Sequence, residues 1–271
     1  MKKIFALLTV FLAISGCDGS LTSNESELDQ YVLDASIWTV QLGTGTTDSA
    51  QAVSIDNDGN LFLAGYTSGD LEGNGNAGGH DLFLVKYNSS GDRQWSRQLG
   101  TSDNDSAFDT ATDSSGNVFA AGYTGGGLDG QTHIGSFDIF LVKYDTNGNR
   151  LWSVLHGSDN VTAKDVIFGM ETDTEGNAYL AGYTDAYLDN NTSAGGDDLI
   201  LIKYNSSGTR QWTVQYGTSA ADYARGVSLD SSGNIYLAGY TSGGLDSNSN
   251  SGSEDLFLIK YNSSGSRQWT Q

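Results

Sequence analysis

Proline is absent from the 271 residues, and cysteine occurs once, at Cys17. Without proline, every turn falls to Gly, Asn, Asp and Ser, residues that reach left-handed backbone or bond their own chain. A single thiol forms no intrachain disulfide. The only histidines, His80, His133 and His156, show no H-x-x-x-H spacing, so no metal-ligand pattern arises from them. Basic residues are also scarce, 13 Lys and Arg against 33 Asp and Glu. Lys2 and Lys3 precede Cys17, which leaves the rest of the chain near −22, a poor partner for nucleic acid or anionic lipid. No stretch beyond residue 16 shows a helical period with caps.

The first sixteen residues combine the basic start Lys2-Lys3 with the apolar run from Ile4 to Ile14 and the small Ser15 and Gly16. This predicts a signal peptide over 1–16, too short to span a bilayer as a helix. Ile14-Ser15-Gly16-Cys17 resembles the lipobox of bacterial lipoproteins. The resemblance implies lipidation of Cys17, export, and anchoring of the chain to the inner or outer membrane of a cell envelope. Residues 17–36 are then an acidic tether from the lipidated cysteine. At about 5–6 Å times the square root of length, it reaches roughly 25 Å.

Five tryptophans, Trp38, Trp95, Trp152, Trp212 and Trp269, recur at spacings of 57, 57, 60 and 57 residues and divide 37–271 into repeats. Units start near Trp38, Trp95, Trp152 and Trp212, with a partial fifth at Trp269. In each, a D-x-x-G-N turn (56–60, 113–117, 173–177, 230–234) joins two apolar runs, and a second Gly-bearing turn (88–91, 145–148, 205–208, 262–265) joins the next two. The first unit therefore predicts strands at about 51–56, 61–67, 81–87 and 93–99. Runs such as Leu61-Phe62-Leu63-Ala64 are apolar at successive positions, as in strands covered on both faces. The fold class is all-β, a β-propeller of four-stranded antiparallel blades, with a stacked β-solenoid as the rival.

D-x-x-G-N followed by Ala64-Gly65-Tyr66-Thr67, the strand Asp81–Tyr87 and the Trp strand resemble the bacterial and archaeal β-propeller repeat often called the seven-bladed β-propeller repeat. The resemblance implies fold rather than activity. Three strand types occur four times and the Trp strand five times, seventeen strands for sixteen places. Two arrangements follow: a closed four-bladed ring in which the Trp38 strand completes the last blade, or a truncated arc of a larger propeller.

Antiparallel order puts the tight turns on one face and the longer connections on the other. Long loops on a rigid scaffold commonly carry binding. The 13-residue loops at 68–80, 125–137, 185–197 and 242–254 nominate Asp70, Glu72, Asp129, Asp185, Asp189 and Asp246 as an acidic interaction face. It is a face for cations such as Ca²⁺ or for a basic partner, or it only keeps the surface soluble. Residues 56–60 resemble the start of a calcium loop but lack its later glutamate, and read as a hairpin turn. Lys86, Lys143, Lys203 and Lys260, with Arg93, Arg150, Arg210 and Arg267, predict a repeated cation–aspartate pair in each blade, and the tryptophans predict blade core. The expected function is a non-catalytic binding or scaffold module for a protein or polysaccharide, without catalytic residues or a required cofactor. The alternative is a carbohydrate-active hydrolase or lyase using loop carboxylates.

Overall fold

A computed structural model describes residues 38–271, within which Thr39–Gln271 form one compact unit. Cys17, the signal segment and the tether lie outside the described residues. Sixteen strands make four antiparallel sheets in chain order. They are β1 (Asp48–Ile55), β2 (Leu61–Thr67), β3 (Asp81–Tyr87) and β4 (Arg93–Leu99); β5 (Asp105–Thr112), β6 (Val118–Thr124), β7 (Asp138–Tyr144) and β8 (Arg150–His156); β9 (Asp165–Thr172), β10 (Ala178–Thr184), β11 (Asp198–Tyr204) and β12 (Arg210–Tyr216); and β13 (Asp222–Leu229), β14 (Ile235–Thr241), β15 (Asp255–Tyr261) and β16 (Arg267–Thr270). The first strand begins three residues earlier than the turn spacing predicts, and the next three match it.

The turns follow from side-chain chemistry. Asp56 Oδ1 accepts the backbone N–H of Asp58 at 3.0 Å and of Asn60 at 2.9 Å, folding the chain back, and Gly59 supplies the left-handed residue at φ 79°. The carboxylate that made 56–60 look like a calcium loop is thus engaged by its own turn.

β1, β5, β9 and β13 pack successively on one another and form the inner edge, with the tryptophan strands at the outer edge. Between blades, apolar faces meet. Phe62, Ala64, Leu82 and Leu84 pack on Val118, Ala120, Phe140 and Val142, and the same positions pair the second blade with the third and the third with the fourth. Burial on both faces explains the unalternating apolar runs. Trp95, Trp152 and Trp212 cap these seams from outside, half-buried rather than deep in a core, whereas Trp38 and Trp269 are exposed. Trp95 lies 5.9 Å from the ring of Phe62 and donates to the Thr146 carbonyl at 3.1 Å.

The array is an open arc, not a closed ring. β16 pairs with β15 inside the fourth blade, so that blade already has its Trp strand. Residues 39–42, the surplus segment, form no strand, and Leu42, like Leu63, packs instead against the cluster of Leu71, Phe83, Val85 and Tyr87 on the first blade. On the first blade Leu42 and Leu71 help bury Phe83, Val85 and Tyr87 but leave Val53 and Ile55 62% exposed, whereas on the fourth blade Leu256 is 85% exposed.

Candidate functional site

Every inner strand carries a β-bulge at its fourth residue. Ala50 pairs with Gly65 and Ala52 with Ala64, leaving Gln51 unpaired, and Phe108, Phe168 and Arg225 are passed over in the same way. A bulge inserts one residue into a strand and re-aims its side chain. The glycine of the A-G-Y-T motif makes room for it. A β-carbon on Gly65, Gly122, Gly182 or Gly239 would run into the carbonyl oxygen of Ser49, Ser106, Val166 or Tyr223 beside the bulge.

The rest of the motif divides its roles. Ala64, Ala121 and Ala181 pack between blades. The hydroxyls of Thr67, Thr124 and Thr241 donate to Asp48, Asp105 and Asp222, which open the inner strands. Burial pushes the Asp105 carboxyl up despite bonds from Thr124 and Thr101. At Asp48 burial acts in the same sense, but bonds from Thr67 and Thr44 outweigh it and hold the carboxyl below the usual range. The tyrosines, Tyr66, Tyr123, Tyr183 and Tyr240, stand half-buried near the long-loop ends of their strands.

Bulge residues and tyrosines together form an unbroken run of rings across blades two to four. Ring centroids are 4.4 Å apart from Phe137 to Tyr123, 5.6 Å from Tyr123 to Phe108 and 5.5 Å from Phe108 to Phe168. The run continues at 5.8 Å to Tyr183, 4.8 Å to Tyr223 and 5.0 Å to Tyr240. Arg225 closes it, with its guanidinium 3.8 Å from the Phe168 centroid and Nη2 donating to the Tyr240 hydroxyl at 2.9 Å. In the first blade His80 stacks on Tyr66 at 4.5 Å. Sequence reasoning missed this band. Little in the sequence signals it, since the inner strands that carry Gln51, Phe108, Phe168 and Arg225 share only their opening aspartate in all four copies.

Each of the acidic residues nominated on the loops is held by a protein partner. Glu72 pairs with Arg93, Asp129 with Arg150 at 2.7 Å, Asp189 with Arg210 and Asp246 with Arg267 at 2.8 Å. All four acids have left-handed backbone, φ 61°, 55°, 56° and 51°, a conformation that L side chains rarely adopt and that the ion pair helps to hold. Asp70 accepts the N–H of Gly75 at 2.8 Å, and Asp185 that of Lys164 at 2.8 Å. Asp189 is the most engaged. Burial alone would raise its carboxyl, but bonds from His156 and Thr213 and the charges of His156 and Arg210 bring it down to about 2. Among the described residues, no three His, Cys, Asp or Glu side chains converge as a cation would require.

The expected pairing of a cation with an acid in every blade holds for arginine and needs correction for lysine. Only Lys143 pairs with its turn aspartate, Asp113, at 2.9 Å. Lys86, Lys203 and Lys260 lie over the rings of Phe62, Tyr179 and Tyr236 at 5.3, 4.9 and 5.2 Å. In the last two blades a tyrosine hydroxyl takes the aspartate: Tyr179 donates to Asp173 and Tyr236 to Asp230, both at 3.1 Å.

The family match agrees with the architecture. The β-propeller repeat family matches residues 37–72, 94–129 and 211–250. An uncharacterised WD repeat-containing protein of Acanthamoeba polyphaga mimivirus is 26% identical over 208 residues, covering 62% of this chain and 15% of that protein. The regulatory protein FlaEY of Caulobacter vibrioides is 27% identical over 212 residues, covering 69% of this chain and 22% of its own length. The chain thus spans less than a quarter of either relative. A crystal structure of a protein of unknown function from Bacteroides caccae aligns with a TM-score of 0.41 at 10% identity, over 86% of this chain and 84% of that one. Four antiparallel four-stranded sheets in chain order give the described residues the architecture of propeller blades, and three of their segments are similar to the β-propeller repeat.

Proposed function

We propose that the protein is an exported lipoprotein, anchored to a cell-envelope membrane through Cys17, whose blades form a non-catalytic binding or scaffold module for a protein or polysaccharide. One observation carries the binding role. The side chains that differ between blades gather in the inner strands with their bulges and in the long loops, on a frame whose turns, seams and arginine–acid pairs repeat. A rigid frame presenting distinct groups on one side suits recognition. Loop carboxylates already engaged by arginine are poor general acids or bases, which disfavours the hydrolase or lyase alternative.

Two measurements test this reading. Labelled fatty acid should enter the chain and be lost in Cys17→Ala, and the variant should leave the membrane fraction. Label retained without the thiol would overturn the anchor. Binding to envelope extracts should survive while polysaccharides remain uncut, and turnover abolished by one loop-carboxylate substitution would replace the binding module with the enzyme.

A further inference from the structure

The aromatic band has properties that narrow its ligand. Phe108 and Phe168 are half-buried on bulges, and Arg225 and Gln51, at the same place in the other blades, are exposed. The hydroxyls of Tyr66, Tyr123 and Tyr183 have no hydrogen-bond partner among the described residues, whereas those of Tyr223 and Tyr240 are taken by Asp197 and Arg225. Burial and the charges of Asp197 and Asp185 push Tyr183 up to about 12, so its hydroxyl stays a neutral donor and acceptor at ordinary pH. The surface therefore offers the half-buried ring of Phe108 and the Arg225-covered ring of Phe168, edged by free hydroxyls.

Charge removes two ligand classes. The chain carries 33 acidic residues, with Asp185 and Asp197 beside the band, and repels an anionic ligand. A cationic ligand would meet the positive charge of Arg225, whose guanidinium lies over Phe168, Tyr223 and Tyr240 at 3.8, 5.7 and 5.3 Å and repels it. An uncharged molecule with apolar C–H faces and many hydroxyls fits what remains, and a run of rings crossing three blades suits a chain of such units.

We propose that the band around Phe108, Phe168 and Tyr183 binds a neutral polysaccharide, with Phe108 packing against a sugar ring, and the Arg225 guanidinium seated on Phe168 and the free tyrosine hydroxyls bonding sugar hydroxyls. This rests on the binding-module reading above and assigns it a place and a ligand class.

The repeat supplies variants that preserve the fold. Gln51 occupies the bulge of the first blade, so Phe108→Gln and Phe168→Gln put into the second and third blades a residue that the same bulge already accepts. The full-length chain, solubilised in mild detergent, is titrated by calorimetry with neutral hexasaccharides of glucose, xylose, mannose and N-acetylglucosamine. Polygalacturonate, chitosan and an aromatic-rich peptide library serve as comparators. The expected result is binding of at least one neutral hexasaccharide, weakened roughly five- to tenfold by each bulge substitution with the melting temperature unchanged. Binding that both substitutions leave intact would overturn the band as the site while leaving the binding module standing. Failure of every neutral hexasaccharide, or preference for the charged polymers or the peptides, would overturn the ligand class. Cleavage of a bound hexasaccharide would instead overturn the non-catalytic reading itself.

Discussion

Leu199 and Leu256 occupy the same position in the third strand of successive blades, yet Leu199 is fully buried against the fourth blade and Leu256 is 85% exposed. One sequence position, two environments: the difference is the presence of a following blade. Leu199→Ala should cost about 2–5 kcal/mol through the lost transfer energy and the cavity left in a packed seam. Leu256→Ala should stay within about 0.5 kcal/mol. Urea denaturation of the two variants checks the contrast, and an equal loss in both would mean that the fourth blade is covered in solution.

The bulge makes a second prediction. At Gly182 an added β-carbon meets only backbone, the Val166 carbonyl and the Ile167 Cα, so no side chain can swing away. Gly182→Ala should destabilise by at least about 2 kcal/mol and alter the near-ultraviolet signal of Phe168 and Tyr183, whose rings lie 5.8 Å apart. Gly226, in β13, has open space around its would-be β-carbon and no left-handed φ. Gly226→Ala should be neutral or stabilising by about 0.4–1 kcal/mol through the unfolded state. Thermal melts of the pair separate steric need from glycine content.

The same glycine shows where sequence reading succeeds and where it stops. A-G-Y-T is visible as a repeated string, and its spacing from D-x-x-G-N places β2 at Leu61–Thr67 to the residue. Turns are legible because Asp, Asn and Gly act within five residues, and the arginine–acid pairs because both partners repeat. The bulge is not, since one unpaired residue leaves no mark in a run such as Ser106-Ala107-Phe108-Asp109. Nor is the ring band, whose link from Phe108 to Phe168 joins residues sixty apart. Counting strands gives seventeen for sixteen places without saying where the surplus lies. Its seat on the first blade depends on the apolar contact of Leu42 with the cluster that holds Phe83 and Val85, which only three-dimensional packing shows.

Asp189 provides a pH test. Its carboxyl is brought down to about 2 in the folded chain, below the usual carboxylate range. A depressed folded value means that stability is present above about pH 4 and is lost as pH falls through about 2. Asp189→Asn keeps a residue type that accepts left-handed backbone but removes the charge that binds Arg210 and His156. The variant should be less stable by on the order of 1–2 kcal/mol at pH 6, with the gap to the parent closing between pH 4 and pH 2. Chemical denaturation across that range measures it, and a gap independent of pH would assign the loss to loop packing rather than charge.

The second blade differs from the third and fourth by one hydroxyl, and that difference can be exchanged. Lys143 and Asp113 form a pair in which both side chains are almost fully buried, so Lys143→Met leaves a carboxylate in the seam without its cation. A cost of about 3–5 kcal/mol is expected, because removing one partner keeps the desolvation of the other. Phe119 occupies the place of Tyr179, and Lys143 lies over its ring at 4.6 Å as Lys203 lies over Tyr179 at 4.9 Å. Phe119→Tyr should therefore carry a hydroxyl to Asp113, as Tyr179 does to Asp173 at 3.1 Å. Combined with Lys143→Met, it should recover about 1–3 kcal/mol, the worth of a hydrogen bond to a charged group. Alone it should change stability little, since Lys143 already satisfies the acid. A double-mutant cycle in urea isolates the coupling. Strict additivity of the two substitutions would show that the hydroxyl does not reach Asp113, and that the tyrosines of the later blades are not interchangeable with this lysine.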